Sequence, residues 1–129
     1  MSIVKKNYIR LDELGIYKES LEISRLAWGI YIKLSWQVRK IVGDQFIRAI
    51  DSVGANIAEG YGRFHYLDRI KFYYNSRGSL LESSHWVNLL LKRKLADEQS
   101  CLSLINLLDS LNKNLNVYIK TVYRSKFDG

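Results

Sequence analysis

The chain has 129 residues, of which 47% are hydrophobic, and its 20 Lys and Arg against 13 Asp and Glu give a formal net charge of +7. This composition excludes a disordered chain, and the length predicts a single domain over residues 1–129. There is no signal-peptide pattern, no apolar run approaches the roughly 20 residues of a membrane span, and one cysteine cannot form an internal disulfide. We therefore expect a soluble, cytoplasmic protein with no membrane contact, in which Cys101 is a reduced packing residue.

The absence of proline allows long helices and makes glycines the main signals for helix ends. Apolar residues recur at steps of three and four through the whole chain, which is a helical period. The predicted helices span roughly residues 16–42, 45–60, 66–94 and 97–126. In this interpretation Gly43 ends the first helix, Asp44 caps the second, and Gly60 and Gly62 turn the chain into the third through positive φ angles.

The fourth segment has the strongest period in the sequence. Its apolar residues form an unbroken heptad seam: Cys101, Leu104, Leu108, Leu111, Leu115, Tyr118 and Val122. Asp97 and Glu98 favour the positive end of this helix's dipole. Because short connections make consecutive helices antiparallel neighbours, the sequence predicts an all-α, up-down-up-down antiparallel four-helix bundle.

A second apolar ridge on the first predicted helix indicates self-association. Trp28, Ile32 and Trp36 lie beside the core positions and leave only a narrow polar stripe. Exposed aromatic ridges of this size are uncommon on monomers and usually mark interfaces, so we expect a homo-oligomer. The alternative is a wide core face with partly exposed Trp edges.

The most distinctive motif lies at the end of the second helix. The run from Ala55 to Arg63, ANIAEGYGR, resembles the Asn-Ile-Ala-Glu-Gly-x-Gly-Arg signature of the four helix bundle protein family. A second block, Phe72 with Arg77-Gly78-Ser79-Leu80 and Glu82, is similar to another stretch of that family. The family includes proteins encoded within intervening sequences of bacterial 23S ribosomal RNA. It is similar to the accessory proteins of reverse transcriptases in diversity-generating retroelements.

The resemblance implies a homopentamer with a basic surface for nucleic-acid contact, a reverse transcriptase as partner in the retroelement branch, and no established catalysis. We interpret the motif residues as structural: Asn56, Glu59, Gly60, Gly62, Arg77 and Gly78. The last of these glycines allows close helix approach, and Asn56 and Glu59 satisfy backbone groups or pair with Arg63 or Arg77. Alternatively, both arginines contact phosphate and Glu59 orients them.

Glu82 and His85 have the Glu-x-x-His spacing of di-iron bundles, but a second copy is missing, and the other histidine, His65, lies in a turn. Seven residues separate Arg77 from His85, more than the Arg-His motif of HEPN ribonucleases allows. We therefore interpret His85 as a surface or interface residue. Phosphate-binding loops, nucleophile elbows and Cys-His metal spacings are absent, so we predict no enzyme activity, no cofactor and no metal site.

Positive charge is the main functional clue, since Lys and Arg attract nucleic acid of any sequence through counterion release. The predicted bundle brings six basic residues to one end: Arg39, Lys40, Arg48, Lys92, Arg93 and Lys94. Arg63 lies at the other end, near Tyr61, Phe64 and Tyr66, which either stack on bases or pack the helix junction. We predict a non-enzymatic homo-oligomer that binds structured RNA or DNA. The alternative is a structural or protein-interaction oligomer whose charges only solvate the bundle.

Overall fold

The computed structural model describes the backbone of residues 9–128 and side chains as far as residue 125. Within that range the chain is helical and contains no strand. A 3₁₀ turn at Leu11–Glu13 precedes four long helices: α1 (Gly15–Tyr31), α2 (36–61), α3 (Tyr66–Lys92) and α4 (Glu98–Asp128). The predicted all-α four-helix bundle is confirmed. The basic residues near the N-terminus, Lys5 and Lys6, lie outside the described residues.

The end of the first helix differs from the prediction. α1 stops at Tyr31, residues 32–35 form a turn, and α2 begins at Trp36, so the chain does not run as one helix to residue 42. Ser35 caps α2, because its Oγ accepts a hydrogen bond of 3.2 Å from the Val38 N–H. The apolar period continues across the turn because residues on both sides of it reach the same core.

Gly43 and Asp44 do not separate two helices, so both predicted signals are wrong. A π-helical turn, Arg39–Gly43, runs directly into the α-helix Asp44–Tyr61 within α2. Gly43 provides space instead, since a Cβ atom there would lie 2.9 Å from Leu34 Cδ1. This glycine lets the start of α2 pack closely against the preceding turn.

Hydrogen bonds between helices establish the antiparallel order. Between α1 and α2, Ser24 Oγ donates to Asp51 Oδ1 (3.1 Å) and the Tyr31 hydroxyl donates to Asp44 Oδ1 (2.6 Å). α2 and α3 are also antiparallel, since Ser76 contacts Val53 and Tyr73 contacts Gly60. The same holds for α3 and α4, since Arg77 contacts Asn116 and Tyr74 contacts Tyr123. α4 also packs against α1, so α1 and α3 lie diagonally across the core.

The heptad seam of α4 faces this core as predicted. Its first five members and Val122 are buried, and Tyr118 is half-buried. Cys101 is fully buried, and burial raises the pKa of its thiol. The expected packing role of Cys101 is confirmed.

The apolar residues of α3 divide between two faces. Ile70, Tyr73, Leu80, Val87 and Leu90 are buried and face the core. Leu67, Tyr74 and Leu81 fit the same helical period but are exposed. Periodicity alone therefore does not tell which of the two faces is buried.

The glycines of the signature do not act as predicted. No described glycine has a positive φ, and Gly62 has φ −79°. Gly60 is needed for contact between helices, because a Cβ atom there would lie 2.8 Å from Tyr73 Cε1 and 3.1 Å from Phe72 Cβ. Gly78, expected to allow close approach, has no neighbour within 4 Å of its would-be Cβ.

These two glycines make a matched test of the fold. We predict that Gly60→Ala lowers the free energy of unfolding by about 1–3 kcal/mol, because the added methyl overlaps the buried Tyr73 ring. Gly78→Ala adds a methyl in open space, and we expect a gain of up to about 1 kcal/mol from helix propensity. Denaturation followed by circular dichroism, at fixed protein concentration, measures both. Equal effects of the two substitutions would refute the close contact at Gly60.

Candidate nucleic-acid interface

Two chain connections, residues 32–35 and 93–97, meet at one end of the bundle, which we call the basic end. It holds most of the predicted cluster: Arg39, Lys40, Lys92, Arg93 and Lys94. Arg48 lies further along the exposed side of α2. Arg63 lies in the connection at the opposite end, so the predicted residues divide between two separate regions.

The end of α3 has an unusual backbone. The Leu95 N–H donates to the Leu90 carbonyl (2.9 Å) and the Lys94 N–H donates to the Leu91 carbonyl (3.1 Å), which closes the last turn of the helix. Lys94 has φ 56° and is the one non-glycine residue in the described range with a positive φ. The left-handed conformation costs a residue with a Cβ about 1–2 kcal/mol. The chain therefore has a cation at a position where glycine would be more stable.

The three consecutive cations at this end have no compensating partner. Lys92, Arg93 and Lys94 are exposed, and none of them forms an ion pair or a side-chain hydrogen bond with another described residue. The nearby carboxylate of Asp97 caps α4, accepting bonds of 2.9 Å from the Ser100 N–H and Oγ. These bonds lower the pKa of Asp97. The end of α3 therefore presents three free positive charges to solvent.

Arg39 and Lys40 are engaged differently. The Arg39 Nη2 donates to the Ile32 carbonyl (2.8 Å), and its guanidinium lies 4.7 Å from the centre of the Tyr31 ring. Arg39 thus satisfies a carbonyl beyond the end of α1 and stabilises the connection. Lys40 is exposed, with Nζ 4.2 Å from the centre of the Trp36 ring. Lys40 remains available for contacts, whereas Arg39 has a structural role.

The signature residues at the opposite end form a local network. Arg63 Nη2 lies 2.6 Å from Glu59 Oε2, and its guanidinium lies 4.8 Å from the centre of the Phe72 ring. The predicted pairing of Glu59 with Arg63 is confirmed. Asn56 Nδ2 donates to the Ser52 carbonyl one turn earlier in α2 (2.9 Å), which agrees with its expected role in satisfying a backbone group.

Arg77 joins α3 to α4. Its Nη1 donates to Asn116 Oδ1 (2.9 Å), and its guanidinium lies 4.6 Å from the centre of the Tyr74 ring. Glu59 does not orient Arg77, since Glu59 pairs with Arg63 and Arg77 bonds Asn116 of α4. Arg77 therefore contributes to helix packing.

Glu82 and His85 make contacts within α3. The Trp86 Nε1 donates to Glu82 Oε2 (3.2 Å), and the His85 ring meets the Trp86 ring edge-on at 4.8 Å. In the described part of the chain, no group of three or more acidic, histidine or cysteine residues is placed to hold a metal ion. None of the helices in that part combines the length and hydrophobicity that a bilayer crossing requires.

The predicted aromatic ridge is exposed in the single chain. Trp28, Ile32 and Trp36, which we call the Trp ridge, have 54%, 51% and 65% of their surface exposed. The interface stays a prediction, and so does its alternative of a wide core face with partly exposed Trp edges. Trp36 belongs to the start of α2, so the ridge follows α1 and crosses the connection.

A second exposed apolar row lies on α3 and was missed by sequence reasoning. Leu67, Tyr74 and Leu81 recur every seven residues on its outward face, and we call them the α3 stripe. Gly78 lies between the last two and leaves the surface flat there. The Trp ridge lies on α1 and the start of α2, and the α3 stripe lies on α3, so the two are separate surfaces.

Comparison with known proteins places the chain in a family. The family described as 23S rRNA-intervening sequence protein matches residues 12–117. The chain belongs to this family. Its fold is similar to a crystal structure of a protein of unknown function from the S23 ribosomal protein family of Bacteroides thetaiotaomicron VPI-5482. The TM-score is 0.73, with 24% identity over 81% of this chain and 98% of that chain. No curated protein matches the sequence.

The strain at Lys94 can be tested directly. We predict that Lys94→Gly raises the free energy of unfolding by up to about 1 kcal/mol, because glycine adopts a positive φ without steric cost. Lys92→Gly removes the same charge from the last helical residue of α3, and we expect a loss of about 0.5–1 kcal/mol. Chemical denaturation compares the two variants. A loss for Lys94→Gly as large as that for Lys92→Gly would contradict the strain.

Proposed function

We propose that this protein is a non-enzymatic homo-oligomer that binds structured RNA or DNA through phosphate contacts at the basic end. The observation that supports the proposal is the run of three exposed, unpaired cations, Lys92 to Lys94, at the end of α3. Strain at Lys94 adds to it, since a residue chosen for stability alone would be glycine. In the branch of the family that is similar to retroelement accessory proteins, a reverse transcriptase would share the bound nucleic acid.

Phosphate contacts suit this surface because they need exposed cations and no precise cavity. Each neutralised phosphate releases condensed counterions, so free lysines and arginines contribute more than those already paired with carboxylates. Lys40 and Arg48 are exposed and unpaired within the described residues and extend the charged surface along α2. Each copy in an oligomer would add another net charge of +7, which strengthens the attraction for a polyanion.

Two separate apolar surfaces on the bundle support a ring. A two-fold dimer uses the same surface on both subunits, so it would leave one of the two rows exposed to water. Contact between the Trp ridge of one copy and the α3 stripe of the next covers both, and it generates a closed ring if the rotation closes. Gly78 favours such contact, because it opens the stripe between Tyr74 and Leu81 and no described residue packs against this position. We propose five copies, the number that the family resemblance implies.

The ring arrangement predicts how two variants with different damaged surfaces assemble when they are mixed. One double variant, Trp28→Gln with Trp36→Gln, removes the Trp ridge. The other, Leu67→Gln with Leu81→Gln, removes the α3 stripe. All four residues are exposed, so the fold should remain intact in both variants. We expect each double variant to be monomeric by light scattering. An equal mixture should form heterodimers, because one intact ridge then meets one intact stripe. An unchanged mass of the Trp variant, or no pairing in the mixture, would contradict the head-to-tail contact.

The basic end can be tested by charge reversal. We predict that changing Lys92, Arg93 and Lys94 to Glu weakens binding to duplex DNA and to an RNA hairpin at least tenfold. The slope of log affinity against log salt should fall by about one for each contacting cation. The measurement is fluorescence anisotropy with nuclease-treated protein at two salt concentrations.

The matched control changes the same charge elsewhere. Lys18, Lys113 and Lys120 are exposed on α1 and α4, and their replacement by Glu should reduce affinity much less. Equal losses in the two triple variants would show that only net charge matters. If the wild-type protein binds neither nucleic acid at low salt, the protein-interaction oligomer is the better function.

A further inference from the structure

The end of the bundle opposite the basic end contains a cleft that the proposed phosphate surface does not use. It has a volume of about 570 Å³. Its lining comes from the residues before α1, the connection between α2 and α3, and the facing sides of α3 and α4: Ile9, Tyr61, Gly62, Arg63, Phe64, Arg69 and Tyr118. Two guanidinium groups and three aromatic rings therefore surround one opening.

The two arginines of this cleft are held in place from behind. Arg63 is fixed by the ion pair to Glu59 and by the Phe72 ring, yet 45% of its side chain remains exposed. Arg69 is half-buried, and its guanidinium lies beside the hydroxyls of Tyr73 and Tyr118, which hold it at the wall of the cleft.

Among the described residues, nothing packs around Phe64 in a way that explains its position. Its side chain is 91% exposed, the largest exposed fraction of any large apolar residue described, and its only ring contact within the described residues is edge-on with His65 at 5.2 Å. An exposed aromatic ring beside arginines is the arrangement with which proteins stack unpaired bases. An acidic peptide would use the arginines but would leave Phe64 in water.

We propose that this cleft binds one unpaired nucleotide of a single-stranded segment, with the base stacked on Phe64 and the phosphate held by Arg63 and Arg69. This deepens the proposed function and rests on it, since the basic end would hold the structured part of the same nucleic acid. The cleft is too small for a duplex, and the Glu59 carboxylate partly neutralises Arg63, so the phosphate surface of a double helix has little reason to bind there.

The test measures the anisotropy of a labelled eight-nucleotide oligouridine and of a duplex DNA with the full-length protein. We expect Phe64→Ala to weaken oligouridine binding about 5- to 100-fold and to leave duplex binding unchanged. Phe64→Trp should restore the affinity and report stacking as quenching of its added fluorescence. Val117→Ala, which also shortens an exposed apolar side chain but lies outside the cleft, is the matched control and should change neither affinity.

The outcomes separate the cleft from the basic end. The proposal is overturned if the wild-type protein does not bind oligouridine, or if Phe64→Ala leaves that binding unchanged. It is also overturned if polyglutamate displaces the labelled oligouridine as well as unlabelled oligouridine does. Duplex binding that persists in these cases leaves the proposed function intact. Conversely, Phe64-dependent oligouridine binding without duplex binding supports the cleft and rejects the basic end. Arg69→Lys keeps the charge but loses the planar guanidinium, and we expect an intermediate loss.

Discussion

The close crossing of α2 and α3 at Gly60 is the constraint on which the rest of the structure depends. Without a Cβ at this position, α2 can lie directly on the ring of Tyr73, which is fully buried and meets the Tyr118 ring of α4 edge-on at 5.2 Å. Further along the same interface, the buried Ser76 hydroxyl donates to the Val53 carbonyl (2.8 Å). Three helices therefore meet at the Tyr73 ring. The family signature therefore describes packing first, and it positions the connection that places Arg63 and Phe64 beside the cleft.

The choice of Tyr73 as the core residue decides what α3 shows to solvent. With Tyr73 inward, its neighbour Tyr74 must point outward, and Leu67 and Leu81 follow at seven-residue steps. A helix that has apolar rows on two faces would be a poor surface helix in an isolated bundle. It is well suited to a bundle that also packs against another copy. The contact at Gly60 and the exposed α3 stripe are thus two consequences of the orientation of α3 about its own axis.

Sequence patterns predicted those features that depend on the chain's own periodicity. The α4 seam from Cys101 to Val122 was recognisable because nearly every apolar residue there falls on one face. Gly60 and Gly78 look alike in the sequence, yet only the first has a ring where its Cβ would be. Space around a glycine is set by the partner helix, which a single sequence does not contain. Similarly, the apolar period predicted one helix through residues 32–35, but the Ser35 hydroxyl caps a new helix there, and Gly43 provides space for packing where a helix end was expected.

The two ends of the bundle differ in how their charges are compensated, and each end would therefore bind nucleic acid through a different kind of contact. At the basic end the cations of Lys92 and Arg93 are surrounded by water, so their interaction with a polyanion arises from counterion release and falls steeply with salt. At the other end Arg63 is already paired with Glu59, and a ring that is almost fully exposed supplies a contact that salt does not screen. Assembly through the sides of the bundle would leave both ends open. A nucleic acid with a duplex and an unpaired segment can then use both kinds of contact, and binding of the unpaired segment should persist at salt concentrations that release the duplex.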